Sequence, residues 1–273
     1  MSYIDAIIVN YNSGTALKDC VESIKCGVRN IIIVDNASND GSFENISGCR
    51  MIPNAKNRGF AAGVNAGIKE SDADFYLILN PDTQITSANI KKLSDFLDNN
   101  PKIAVAGPKI LDENGNITPN GRLFPTLARE FLFNTKLYKL NKQSFDIKYE
   151  WGRTDFEINS EVDEVIGACF LVSKKAIDEV GLMDELFFLY YEETDWCKRF
   201  KNAGWKVWYI ADAEAKHIGG HSTKSLAVKK YEIAFNSQYL YFKKHNGIIS
   251  AIILKIIGSI IIALMKLKGL INK

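Results

Sequence analysis

Three short apolar runs in the first eighty residues each end in a burst of polar side chains. Ile4 to Val9, broken only by Asp5, gives way to Asn10-Tyr11-Asn12. Ile31-Ile32-Ile33-Val34 gives way to Asp35-Asn36-Ala37-Ser38-Asn39-Asp40-Gly41-Ser42, and Phe75 to Leu79 to Asn80-Pro81-Asp82. Continuous runs of this length, rich in β-branched and aromatic residues, read as strands buried on both faces. Pro81 has no N–H to donate, so the third strand ends there. Between the runs the period becomes helical. Leu17, Val21 and Ile24 share a face within Thr15 to Lys25, and the small-residue stretch Gly59 to Gly67 opens a second helix. Its glycines allow close approach to a neighbouring strand or to a ligand. The reading is βαβαβαβ up to about Gly107: an α/β, Rossmann-like sheet flanked by helices, with a ligand crevice along its carboxyl edge.

Farther along, Thr86 or Ser87 caps a helix reaching Leu97, Ile103 to Ala106 is a strand, and Asp112 to Asn116 is a hairpin turn. From Arg122 to Glu161 the periodicity weakens, which reads as a variable insert near the site. Val165 to Val172 is a buried strand, Lys174 to Val180 and Thr194 to Ala203 are helices, Trp205 to Ile210 is a strand and Lys224 to Lys244 a helix. From Ile248 to Ile271 the chain is mostly Ile, Leu and Ala. At 100° per residue Lys255, Ser259, Lys266 and Lys273 form one stripe, with Lys268 off it. This pattern suits an amphipathic helix in a membrane interface, its lysines reaching toward headgroups. Lys255 interrupts the roughly 20 apolar residues that a span needs. The competing reading packs this helix on the domain, or on a second copy of the chain as a homodimer. The expected division is a domain over 1–223, with halves 1–107 and 108–223, and a helical membrane-associating segment over 224–273.

The bulk numbers narrow the classes. Hydrophobic residues are 47% and charged residues 24% of the 273, and the net charge of +2 offers no footprint for nucleic acid. Five cysteines without C-x-x-C or zinc spacing read as reduced thiols in a cytosolic protein. The chain enters its first strand almost at once, so no cleavable signal is expected.

Asp82 at a strand's carboxyl edge suits a hard divalent cation, and the cation suits a diphosphate; taken alone it is also an ordinary turn residue. After the aromatic run Phe187 to Tyr191, Glu192, Glu193 and Asp195 crowd one short window. They read either as a cap opposing a helix dipole or as the source of a general base. His217 and His221, two of three histidines, share one loop segment and suit a metal or phosphate contact. Neither G-x-G-x-x-G nor the phosphate loop G-x-x-x-x-G-K-[ST] occurs.

Together, Val9 to Asn12, Val34 to Ser42, Asn57 to Asn65, Leu79 to Asp82, Gly181 to Cys197 and His217 to Ser222 resemble, in order, the motifs of the inverting family 2 glycosyltransferases of GT-A fold. The stretch Asn57 to Asn65 is similar to the rhamnosyltransferase-like branch. The resemblance implies a nucleotide-diphosphate sugar donor. Asp35 would meet the base, Asn12 and Asn36 the base or ribose, and Asn10, Asn57, Gly59, Asn65 and Asn80 would complete the donor site. It also implies Mg²⁺ or Mn²⁺ on Asp82 and His217. Glu193 would be the base, with Asp195 the alternative, and the acceptor side would include Gly167, Ala168, Asp184 and Glu192. Two positions depart from the family pattern. Asn80 stands where the metal motif opens with Asp, and Glu193 stands where the base is usually Asp. The branch further implies L-rhamnose from dTDP-L-rhamnose, moved to a polyprenyl-diphosphate-linked saccharide at the inner face of the cytoplasmic membrane. That places the enzyme in O-antigen or capsule assembly, cytoplasmic and peripherally bound. The alternatives are a UDP-hexose-dependent enzyme of the same fold and a non-catalytic sugar- or membrane-binding protein. A nucleotidyltransferase is disfavoured, because Tyr11-Asn12-Ser13-Gly14 lacks the glycine and charge of a triphosphate loop.

Overall fold

The computed structural model describes residues 2–44, 46–150, 152, 155–218 and 227–271. The apolar runs are strands: β1 (Ile4–Asn10), β2 (Asn30–Asp35) with β3 (Arg50–Pro53) beside it, and β4 (Phe75–Leu79). Every residue of β1 and β4 is buried. β1 pairs in parallel with β2 on one side and β4 on the other, so their polar exits share one edge. Side chains alternate across the sheet. Ala6 and Ile8 pack with Leu17, Val21 and Ile24 of α1 (Ala16–Ile24), while Ile7 and Val9 pack with α2 (Phe60–Lys69) on the other face. A Cβ on Gly63 or Gly67 would come within 2.6 Å of Val9 or 2.5 Å of Ile7. These glycines serve the strand, the first of the two uses open to them.

The second half adds antiparallel strands. β5 (Thr83–Ile85) leads into α3 (Ser87–Asn99), where the Thr86 hydroxyl accepts from the Asn89 N–H at 3.3 Å. β6 (Ile103–Leu111) runs five residues past the expected end at Ala106, held by β7 (Ile117–Thr118) across the Asp112–Asn116 turn. The insert contains α4 (Leu127–Asn134), a 3₁₀ turn (Leu137–Asn141), α5 (Lys142–Phe145), a π turn (Asp146–Glu150) and β8 (Ser160–Val162). Its periodicity is weak because polar contacts secure it. Arg129 is buried and makes a two-pronged bond to Glu150 at 2.8 and 2.9 Å.

β9 (Cys169–Ser173) is shorter than the expected Val165–Val172 strand, because Ile166 turns its N–H to the buried Asn120 side chain at 2.8 Å. It runs antiparallel to both β4 and β6 and makes the sheet mixed. α6 (Lys174–Val180) and α7 (Glu192–Asn202) follow, then β10 (Lys206–His217), twelve residues long rather than six. The strand order is β3-β2-β1-β4-β9-β6-β10-β5. α8 (Ala227–His245) and α9 (Ile248–Ile271) complete the described chain. The expected boundary at 223/224 and the loop residue His221 lie outside the described residues.

α9 differs from its expected orientation. Ala251 and Leu254 are buried against α8, Lys255 sits 4.8 Å from the centre of the Tyr239 ring, and Lys266 pairs with Glu232 at 2.8 Å. Both lysines are therefore held by α8 rather than directed outward, and Lys273 lies outside the described residues. The outward face is apolar: Ile249, Ile252, Ile253, Ile256, Ile260, Leu264 and Leu267 are all exposed. Ile248–Leu267 is long and apolar enough to cross a membrane.

Candidate active site

A cleft of about 610 Å³ opens at the common strand edge. Asn36, Asn57, Gly59, Asn80, Asp82 and His217 line it, together with Tyr11, Phe188, Tyr190, Lys229 and Lys230. Its floor comes from the ends of β1, β2 and β4, where the chain leaves each strand abruptly. Asn12 and Ala37 both take positive φ, 50° and 62°, as the backbone turns out of β1 and β2. Such conformations are uncommon for residues with a Cβ and persist where surrounding bonds over-determine them. Here the Asn12 side-chain Oδ1 accepts the Asn39 N–H at 2.9 Å and the Asn12 backbone N–H donates to the Ser38 hydroxyl at 3.0 Å.

Beneath the floor lies a buried polar knot. Asn10 donates to Asp35 at 2.7 Å and to Ser42 at 2.9 Å, and accepts from the Ser13 hydroxyl. Asp35 also receives the Ser38 N–H at 3.0 Å. Asn10 is thus occupied in holding two strand ends together, while Asp35 lies just behind Asn36. Asn36 donates to the Gly59 carbonyl at 3.0 Å and accepts from Asn54 at 2.9 Å. Asn57 accepts the Gly59 N–H at 2.9 Å. Gly59 itself needs to be glycine: its φ is +87°, and a Cβ there would stand 2.2 Å from the Phe188 carbonyl oxygen. That contact docks the 181–191 segment on α2. Asn65 serves the same junction, exchanging bonds with the Met183 backbone at 2.9 and 3.0 Å and reaching Glu185 at 3.1 Å. Its amide is turned away from the cleft.

The extension of β10 carries His217 to Asp82, with Nε2 3.2 Å from Oδ1, and the Ile218 N–H bonds the Asp82 carbonyl at 3.1 Å. Among the described residues no three His, Cys, Asp or Glu side chains converge on a point. A carboxylate and an imidazole side by side still fit a divalent cation whose remaining positions come from diphosphate oxygens and water. Asn80 lines the cleft and ties it to β9 through a 3.0 Å bond from its N–H to the Ala168 carbonyl.

The acidic window splits into opposite environments. Tyr190 and Tyr191 both adopt positive φ, 69° and 67°, so the chain kinks immediately before α7. Glu192 and Glu193 then enter a region where each leaves a buried oxygen, Oε2, without a hydrogen bond. Burial raises the pKa of both, that of Glu192 well above its ordinary value, where the neighbouring Glu193 charge adds to the rise, while Arg122 opposes it at Glu193. The Gly167 N–H counters the rise at Glu193, whose Oε1 would lie 3.6 Å from a Cβ at Gly167. Phe60, a lining residue, stands at 3.8 Å from the same point. Asp195 is wholly buried on the far side of α7. Burial alone would raise its pKa, but His245 at 2.7 Å, Lys244 at 2.8 Å and Arg199 at 2.8 Å lower it to about 2. Asp184 accepts Lys244 at 2.6 Å. The structure thus gathers Asn36, Asn57, Gly59, Asn80, Asp82 and His217 in one cleft, with Gly167, Ala168 and Glu193 adjoining. Asn10, Asn65, Asp184 and Asp195 are held elsewhere. Tyr11, Phe188 and Tyr190 lay within segments already singled out. Lys229 and Lys230 carried no local signal, since only the path of α8 brings them here.

A mixed sheet with a ligand cleft at its carboxyl edge and a strand-end Asp beside a returning His defines a GT-A-type sugar-nucleotide transferase fold. The chain belongs to the glycosyl transferase family 2, whose model matches residues 5–181. It is 26% identical over 263 residues to an N-acetylglucosaminyl-diphospho-decaprenol L-rhamnosyltransferase of Mycobacterium tuberculosis, covering 89% of this chain and 85% of that protein. It is 30% identical over 268 residues to the dTDP-rhamnosyl transferase RfbF of Shigella flexneri, covering 92% and 84%. Among solved structures it is similar to GalNAc-T7 with UDP, GalNAc and Mn²⁺, at a TM-score of 0.61 and 14% identity. That match covers 80% of this chain but 44% of that one, and it speaks for the fold.

Proposed function

We propose that this glycosyltransferase moves a hexose, L-rhamnose from dTDP-L-rhamnose, onto a polyprenyl-diphosphate-linked saccharide with inversion at the anomeric carbon. The observation that carries the reaction type is one juxtaposition. A cleft lined by strand-end amides and the Asp82–His217 pair adjoins, across Gly167 and Phe60, a carboxylate with a raised pKa and an oxygen without a protein partner. The two rhamnosyltransferase relatives support the sugar, and the lipid-diphosphate name of one supports the acceptor. The UDP of the GalNAc-T7 structure keeps a UDP-hexose as the second reading of the donor.

In this reading Asn36 and Asn57 orient the nucleoside, with Asp35 behind them. Asp82 and His217 would hold Mg²⁺ or Mn²⁺, which would offset charge on the departing diphosphate. Glu193, rather than Asp195, takes the proton of the acceptor hydroxyl. A raised pKa makes it a better proton acceptor than an ordinary carboxylate once ionised. Asp195, already bonded to Arg199, Lys244 and His245, has neither the basicity nor the access. The acceptor oxygen then forms its bond to the anomeric carbon as the bond to the diphosphate breaks on the opposite face. The apolar outward face of α9 would lie on the inner leaflet and bring the cleft to a lipid-borne acceptor.

The test is calorimetric titration of the purified chain with dTDP-L-rhamnose, UDP-glucose, UDP-galactose and UDP-N-acetylglucosamine in Mn²⁺, with Asp82→Ala as control. The proposal expects tightest binding of dTDP-L-rhamnose, weakened in the control. A UDP-sugar binding more tightly would transfer the donor assignment to the second reading. No sugar nucleotide binding at all would overturn the enzymatic one.

A further inference from the structure

The charge in the cleft does not come from the strand ends alone. Asp82 is the one carboxylate among its described lining residues, whereas Lys229 and Lys230 bring two ammonium groups from the start of α8. Both lysines are exposed, and neither pairs with a carboxylate among the described residues. The other lysines of these two helices that the structure engages have partners of their own. Lys244 holds Asp184 and Asp195, Lys255 covers Tyr239 and Lys266 holds Glu232. α8 is fixed by its middle and end. Gln238 donates to the buried Glu130 at 2.6 Å, and the Ser237 hydroxyl donates to the Leu189 carbonyl at 2.8 Å. An anchored helix therefore presents two uncommitted cations to the cleft.

The charge balance makes that placement meaningful. A sugar-linked nucleoside diphosphate carries about two negative charges and develops about one more as its sugar leaves. Asn80 is neutral, so among the described lining residues Asp82 supplies the only negative side-chain charge for a cation to bridge. Resting on the donor reading above, we infer that Lys229 and Lys230 grip the donor's diphosphate and supply a share of its binding that needs no metal. Lysine binds phosphate as a point charge on a flexible stem, so two of them at the mouth can follow the β-phosphate as it departs. They favour a diphosphate over a monophosphate, because the additional charge lies within their reach.

The experiment is calorimetry on the full chain with dTDP, UDP, dTMP and UMP, each in Mn²⁺ and in EDTA. It compares the wild type with a Lys229→Gln/Lys230→Gln double variant and a Lys229→Arg/Lys230→Arg variant. Gln and Arg match Lys in helix propensity, so α8 is retained. In EDTA the better-binding diphosphate is expected to lose about tenfold or more in the Gln variant, the worth of one charge-assisted bond. The matching monophosphate should change by less than about twofold, and the Arg variant should keep most of the affinity. Equal diphosphate binding by wild type and Gln variant in EDTA overturns the inference. So does an equal loss for mono- and diphosphate, or wild-type binding seen only with Mn²⁺. If the wild type binds neither diphosphate even in Mn²⁺, the donor reading itself fails.

Discussion

Glu193 and Asp195 stand two residues apart in the first turn of α7, yet the fold gives them opposite electrostatics. Burial raises the pKa of Glu193 against the opposing charge of Arg122, whereas bonds from His245, Lys244 and Arg199 draw that of Asp195 down to about 2. Glu193→Gln is expected to lower turnover by about 100- to 10,000-fold with donor affinity unchanged, read as kcat against donor KM. Wild-type turnover should climb with pH through a pKa above the ordinary 4.5 of a glutamate, since the base acts when ionised. Asp195→Asn should do something else. It leaves Arg199, Lys244 and His245 without their common partner, so a loss of about 3 kcal/mol in denaturant unfolding is expected. The sign follows from the lowered pKa. Asp195 stabilises the fold above its ordinary 3.8, and that contribution disappears as pH falls toward about 2. The part of the Asp195→Asn protein that folds should still turn over.

Between elements, the insert and α7 share a buried carboxylate. Glu164, bonded through its backbone to Arg122, is pushed up to about 7 by burial, against the nearby charges of Arg122 and Arg129. Its Oε2 has no hydrogen bond. A group whose folded pKa is raised leaves stability intact below its unfolded value and removes it as pH rises through the folded one. Against an ordinary 4.5, a value near 7 corresponds to about 3 kcal/mol at most. Glu164→Gln is therefore expected to be nearly neutral at pH 5 and to raise Tm relative to the wild type at pH 8, measured by thermal unfolding across that range. A wild type whose stability is flat between those values would show that Glu164 titrates as an ordinary carboxylate.

At the scale of the whole molecule, α8 is the link. It meets the cleft at Lys229 and Lys230, the insert at Gln238 and α7 at Lys244 and His245, and it carries α9 on its other side. Because Lys255 and Lys266 are engaged by α8, the outer face of α9 presents exposed Ile249, Ile252, Ile253, Ile256, Ile260, Leu264 and Leu267 as one apolar strip. Contiguous exposed apolar surface marks an interaction site on a soluble fold. Substituting Ile253, Ile256 and Ile260 with Asp should abolish co-sedimentation with vesicles of anionic and zwitterionic lipid while leaving Tm within a few degrees. Persistent co-sedimentation of that variant would assign the strip to another partner.

Local sequence was enough for whatever depends on nearest neighbours along the chain. The apolar runs had to be strands, because residues buried on both faces leave no polar periodicity, and Pro81 had to end one of them. Asn36, Asn80 and Asp82 were legible as a ligand edge for the same reason, each following such a run, whereas Asn57 and Gly59 were indicated by the family resemblance of their segment. Tertiary structure decided what depends on residues far apart. His217 reaches Asp82 because β10 continues well past Ile210, held by β6 and β5. Asn10 and Asn65 look identical to donor ligands in sequence, yet neighbours 25 and 118 positions away take their amides. Whether Glu192, Glu193 or Asp195 could serve as a base depended on which of them the fold neutralises, and Asp195 meets Arg199 of its own helix together with Lys244 and His245, which arrive from α8 some 50 residues later. Charge and burial act through space. A sequence shows which groups a chain owns, and the packing of α8 across the sheet edge decides which of them are neutralised, buried or left to react.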